Sequence, residues 1–136
     1  MAPICFENVD AAYVARMFRA ADGGKRAQFL INLTNDGWFA ALEHEHHWRA
    51  AVAFRAIENR VPVARASNTG VSGMVDSCGR VIATLTPATE GSLTATLTAD
   101  PRTTFYTRFG DVFAACCTLY AVAWIIRGAT HRRKMV

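Results

Sequence analysis

FRAIENRVPVARASNTGVSG, residues 54–73, decides how this chain folds, because it passes from helix-forming to strand-forming sequence within a few residues. Phe54 to Asn59 closes a run of strong helix formers that begins at Leu42 and holds no Gly or Pro, so the spacing predicts a helix over 42–59. Pro62 lies just beyond it and prevents its continuation. Val63 to Ser67 then reads as a strand, Asn68-Thr69-Gly70 as a turn, and Ser72 to Val75 as a second strand.

Upstream, Gln28 to Thr34 (QFLINLT) is mostly apolar and predicts a strand buried on both faces. Asn35-Asp36-Gly37 is a turn signal, with Trp38 and Phe39 straight after it. Nearer the start, Ala2 to Cys5 predicts the end of a short buried strand. Val9 to Ala21 predicts a helix, with Asn8 or Asp10 as its cap and Asp22-Gly23-Gly24 as its close. Downstream, Asp76-Ser77-Cys78-Gly79 forms a hairpin turn into Val81 to Leu85, and Gly91 to Thr98 predicts one more strand. The order implies an α/β half followed by a meander, in one domain over 1–104.

After Pro101 the character changes. Val112 to Ile126 is an uncharged run of fifteen residues. A bilayer span needs about 20 apolar residues, and Arg108 and Arg127 can extend the run by snorkelling. At 51% hydrophobic and 19% charged, the chain is apolar for a soluble domain. Its net charge of +4 sits in the tail: Arg127, Arg132, Arg133 and Lys134 follow the run, and the remaining eleven basic residues match eleven acids. The expectation is a transmembrane helix over 105–127 and a basic cytoplasmic tail over 128–136, against a buried C-terminal helix as the alternative. No signal peptide is expected, since no basic region with a long apolar run opens the chain.

The four cysteines, Cys5, Cys78, Cys116 and Cys117, have neither disulfide-framework nor zinc spacing. Cys5 follows strand residues and precedes a helix. That position suits a nucleophile at a strand-to-helix elbow, near N–H groups that favour a thiolate, and equally an inert buried thiol. Glu7 beside it suits orienting a substrate amine, pairing with an arginine, or plain surface. Trp38 and Phe39 suit lid packing or a binding loop. His44 and His47 share a helix face, but Trp48 stands where H-E-x-x-H needs its second His, so no metal and no cofactor are expected. Arg49, Arg55, Arg60 and Arg65 make no stripe with stacking aromatics, so nucleic acid is not an expected partner.

Read together, ICFE at 4–7, LINLTNDGWF at 30–39, His47 with residues 54–73, DSCGRV at 76–81 and the terminal apolar helix resemble the bacterial apolipoprotein N-acyltransferases of the nitrilase (carbon–nitrogen hydrolase) superfamily. The resemblance implies an α/β fold: a partial nitrilase-like αββα four-layer sandwich followed by the C-terminal transmembrane helix. It implies acyl transfer from a phospholipid donor, through a Cys thioester, to the amine of a diacylglyceryl-modified apolipoprotein. The place would be the bacterial inner membrane, with the catalytic part periplasmic and the C-terminus cytoplasmic. Cys5 matches the nucleophile, Phe6 supplies a candidate oxyanion N–H, Glu7 matches the carboxylate after the nucleophile, and Trp38 and Phe39 match a loop near the acyl pocket.

Phe6 stands where Tyr is frequent, and Ala40 where Gly is common. The family's general-base Glu and its Lys lie well upstream of the nucleophile, and four residues precede Cys5 here. Lys25, Glu43 and Glu45 do not match those motifs. The chain is therefore expected to be the C-terminal piece of such an enzyme, inactive and poorly stable in isolation. The alternatives are an amidase-like nitrilase relative and a non-catalytic truncated remnant.

Overall fold

The computed structural model of the chain describes residues 1–39, 46 and 48–133, and backbone alone at 49, 50 and 129–133. His44, His47 and the first residues of the helix expected over 42–59 lie outside the described residues.

A short 3-10 turn, Cys5–Val9, leads into α1, Ala11–Phe18. Asp10 caps α1: its Oδ1 accepts the Tyr13 N–H at 2.8 Å. The strand β1, Leu30–Thr34, follows a loop. A π-helical turn, Arg49–Ala53, runs straight into α2, Phe54–Asn59, which ends at Arg60 in the left-handed conformation (φ 52°). Pro62 then turns the chain into β2, Val63–Ser67, and β3, Ser72–Val75, and β4, Val81–Leu85, complete the meander.

The sheet order is β1-β2-β3-β4, with β1 parallel to β2 and the rest antiparallel. Leu30 faces Val63, and Thr34 faces Ser67. Parallel pairing requires a crossover, which the helical segment before β2 supplies. Its Trp48, Val52 and Ala56 pack with Val14 and Phe18 of α1 against Leu30, Val63 and Val75. This is the core.

Residues expected as a strand over 2–5 form a single bridge instead, Ile4 to Leu33. The reading of 28–34 as buried on both faces also fails. Leu30 and Asn32 are buried while Ile31 and Leu33 are about half exposed, because helices cover one face of the sheet and no second layer among the described residues covers the other. Residues 91–98 have the alternating burial of a strand but form no ladder. The observed architecture is mixed α/β with a four-stranded sheet, in keeping with part of a nitrilase-like sandwich.

The C-terminal expectation needs correction. Among the described residues no helix is long and apolar enough to cross a membrane. The stretch expected as one span over 105–127 is divided: α3, Phe105–Phe109, stops at Gly110 (φ 73°), and α4, Val112–Arg133, starts afresh. The physical reason lies in the sequence, where the uncharged run is shorter than a bilayer requires and ends at Arg127. The two helices also differ in packing. α3 is anchored, with buried Thr107 donating to Asn59 Oδ1 at 2.9 Å and its carbonyl accepting Arg19 Nε–H at 2.9 Å. Every described side chain of α4 is exposed.

Candidate active site

Cys5 is the first residue of the 3-10 turn and sits at φ 52°, where a residue with a Cβ is strained. Four contacts hold it there. Asn32 Nδ2 donates to the carbonyl of Pro3 at 3.0 Å and to that of Cys5 at 3.4 Å. Glu7 Oε2 folds back to accept the Ile4 N–H at 2.8 Å. At the far end of the turn Arg55 Nη1 donates to the Val9 carbonyl at 2.8 Å, and its guanidinium is paired with Glu58. Strain of this kind persists only where the surroundings over-determine it.

The sulfur is half-buried and faces the end of β1. Hydrogen bonds from the Thr34 hydroxyl and the Asn35 N–H pull its thiol below the ordinary value. Burial opposes them, the Phe6 N–H adds to them, and the Asp36 charge pushes back. The balance moves the sulfur toward the thiolate.

Asp36 forms the floor. Its Oδ2 accepts Arg65 Nη2–H at 2.5 Å and the Ser67 hydroxyl at 3.1 Å, and its Oδ1 accepts the Thr34 hydroxyl at 2.9 Å. Burial raises the Asp36 carboxyl, but Arg65 and the hydroxyls outweigh it and hold it below the usual carboxylate range. Asn68 Oδ1 accepts the Asp36 N–H at 3.0 Å. Gly70 passes so close that a Cβ there would meet Asp36 Oδ2 at 2.1 Å. The N-D-G turn and the R-x-S-N-T-G block are thus two halves of one clamp at the ends of paired strands β1 and β2.

The cleft at the sulfur is lined by Cys5, Phe6, Val9, Thr34, Asp36, Phe39, Ala51 and Arg65 and encloses about 10 Å³, room for roughly one water. Among the residues expected at the site, Cys5, Phe6 and Phe39 converge. Glu7 is exposed and turned to the backbone, and Trp38 is 84% exposed and does not line the cleft. Thr34, Asp36, Arg65 and Ser67 are the residues that sequence reasoning missed. The available signal was an Arg on the buried register of a strand, which demands a carboxylate partner. Among the described residues no group of His, Cys, Asp and Glu is arranged to hold a metal.

The family model of the carbon–nitrogen hydrolases matches residues 7–105, which begin two residues after Cys5. The chain is 33% identical over 133 residues to an apolipoprotein N-acyltransferase of Geobacter metallireducens, covering 98% of this chain and 24% of that protein. It is 36% identical over 130 residues to one of Bradyrhizobium diazoefficiens, covering 96% and 23%, and 38% identical over 112 residues to one of Rhodopseudomonas palustris, covering 82% and 20%. The chain spans about a quarter of the length of the curated relatives it matches.

Proposed function

Because the chain belongs to the carbon–nitrogen hydrolase family, we propose that it carries the nucleophile of an apolipoprotein N-acyltransferase, with Cys5 as that nucleophile. The observation that carries this reading is a strained, left-handed Cys5 that shares one cleft with Thr34 and the buried Asp36–Arg65 pair. An inert core cysteine needs neither feature.

The chemistry is two-step acyl transfer. The Cys5 thiolate attacks the ester carbonyl of a phospholipid, and the C–O bond breaks. The acyl chain then rests on sulfur as a thioester, and the lysophospholipid leaves as an alcohol once its oxygen takes up a proton. The α-amine of a diacylglyceryl-modified apolipoprotein next attacks the thioester, forms an amide, loses a proton and releases the thiolate. The Phe6 and Asn35 N–H groups, which face the sulfur at rest, turn to the oxygen of each tetrahedral intermediate. Asp36 is a poor general base, since Arg65 and two hydroxyls already hold its charge. The thiol proton therefore passes to another base, a role that the resemblance gives to a glutamate upstream of the nucleophile, together with a lysine.

A cleft of about 10 Å³ cannot hold a fatty chain, so the acyl chain runs outward over the exposed rings of Phe6 and Trp38. Glu7 orients the site indirectly, by fixing the turn that bears Cys5. A phospholipid donor places the reaction at the bacterial inner-membrane surface, on the periplasmic side where lipoprotein amines are presented.

The test is a chimaera in which this chain replaces the matching segment of the Geobacter metallireducens relative, incubated with phospholipid. Mass spectrometry should find a hydroxylamine-labile acyl adduct on Cys5, absent in the Cys5→Ser form and absent from the 136-residue chain alone. A folded chimaera with no adduct, or an adduct that survives Cys5→Ser, removes the assignment and leaves the chain a non-catalytic remnant.

A further inference from the structure

The turn that bears Cys5 is also pinned from its inner side. Asn8, three residues after Cys5, is fully buried, and it is Asp10 rather than Asn8 that caps α1. The Asn8 Nδ2 instead donates to the Ala51 carbonyl at 2.5 Å, across the interior from the 3-10 turn to the π-helical turn Arg49–Ala53. A flipped amide would set two oxygens against each other, so the donor faces Ala51. That leaves Asn8 Oδ1 buried with no hydrogen-bond partner among the described residues.

The same two turns are opposing walls of the cleft at the sulfur. Cys5, Phe6 and Val9 line it from the 3-10 turn, and Ala51 lines it from the π-helical turn. A π turn is wider than an α-helical one, and a side chain inserted at a ladder carbonyl is a recognised cause of helix distortion. The inserted amide and the π turn coincide at Ala51. The helical segment then runs on into α2, where Arg55 donates to the carbonyls of Asn8 and Val9. Asn8 is thus tied to one helical segment by its side chain and by its backbone. Its unpartnered oxygen costs stability that an apolar side chain of similar size would not. A position chosen for packing alone would hold leucine, and departures from core rules of this kind gather at functional sites.

We propose that Asn8 is a positioning residue for the nucleophile: by holding the Ala51 carbonyl, it fixes the gap between the Cys5 turn and the Ala51 wall, and with it the direction of the sulfur in the cleft. Without the amide, residues 49–53 relax toward an α-helix, Ala51 withdraws, and the Cys5 turn loses its inner support. The cleft encloses about 10 Å³, so a small shift of either wall changes what the sulfur can meet. A misplacement of about 1 Å is enough to slow a reaction by about a hundredfold. The catalytic consequence of Asn8 rests on the reading of Cys5 as an acyl-carrying nucleophile; its hold on the sulfur does not.

The experiment compares Asn8→Leu with the unsubstituted full chain. Leucine is close to asparagine in volume and has no amide, so the urea midpoint should be unchanged or higher. Alkylation of Cys5 by iodoacetamide, followed against pH by peptide mapping, should nevertheless move its midpoint upward by about one pH unit, as the thiol leaves the Thr34 hydroxyl and Asn35 N–H that hold it low. In the chimaera with the Geobacter metallireducens relative, single-turnover acylation of Cys5 should slow about tenfold or more, at an unchanged half-saturating phospholipid concentration. If the leucine form does not fold, Asn8→Ala removes the amide without adding bulk and is read in the same way. A further measurement needs no variant: the Asn8 side-chain amide hydrogens should exchange about a hundredfold or more slowly than those of exposed Asn68. A folded variant whose Cys5 keeps its alkylation midpoint or its acylation rate, or an Asn8 amide that exchanges as fast as that of Asn68, overturns the proposal. An unsubstituted chimaera that forms no adduct removes the acyl-transfer reading instead, and alkylation still decides the role of Asn8.

Discussion

Arg65 Nη2 meets Asp36 Oδ2 at 2.5 Å, with both side chains at least 96% buried, and this pair joins the ends of β1 and β2 directly beneath the Cys5 cleft. A buried ion pair contributes little net stability when intact, but removing one partner strands the other charge. Arg65→Met is therefore expected to cost about 3–5 kcal/mol. The double change Asp36→Leu with Arg65→Met should cost less than Arg65→Met alone. Urea unfolding of both forms checks this, and a double variant weaker than the single one refutes it.

The same carboxylate sets a pH dependence. The folded Asp36 carboxyl is held below its ordinary value, so its contribution to stability is present above about pH 4 and is lost as pH falls through the folded value. Asp76 and Asp100 are shifted in the same direction and add to the acid sensitivity. Asp36→Asn should therefore flatten the fall of unfolding free energy below about pH 4 without abolishing it. An unchanged slope in the Asn form would mean that the clamp takes no part.

How much of this was legible in the sequence depends on which face of a strand is considered. Period-two reading puts Asn32 with Leu30 and Arg65 with Val63, and all four are buried. The strand limits and the meander follow from Pro62, Gly70 and the D-S-C-G turn. Asp36 was hidden because N-D-G reads as a solvated turn, whereas here it is 2% exposed and closed over by Gly70. Ile31 and Leu33 misled because apolar residues signal a covering layer without saying where it comes from. Residues 91–98 misled for a related reason: alternation predicts extended backbone but does not name a partner strand. Fifteen uncharged residues predict a helix but not its start, which the break at Gly110 fixes.

Thr34 has one hydroxyl proton and two acceptors, Asp36 Oδ1 and the Cys5 sulfur. Its hydrogen bond is the largest influence lowering the Cys5 thiol, so Thr34→Val should raise that pKa. The rate of iodoacetamide alkylation at Cys5, followed against pH by peptide mapping, should move its midpoint upward. Thr34→Ser should restore it, which separates loss of the hydroxyl from loss of packing. A midpoint that does not move in the Val form removes Thr34 from the site.

The left-handed backbone of Cys5 yields a measurement of strain. At φ 52° any residue with a Cβ is disfavoured, and glycine is not. Cys5→Ala and Cys5→Gly both delete the thiol and its hydrogen bonds, so their difference isolates the backbone. In an ordinary extended or helical position glycine would be the less stable of the two by roughly 0.5–1 kcal/mol. At this turn the order should reverse, with Cys5→Gly more stable than Cys5→Ala by about 1 kcal/mol in urea unfolding. The reversal would mean that Asn32, Glu7 and Arg55 hold the turn against its own preference in order to present sulfur to Thr34 and Asn35. If the alanine form proves the more stable, the turn is relaxed, and the link between backbone geometry and a nucleophilic Cys5 is lost.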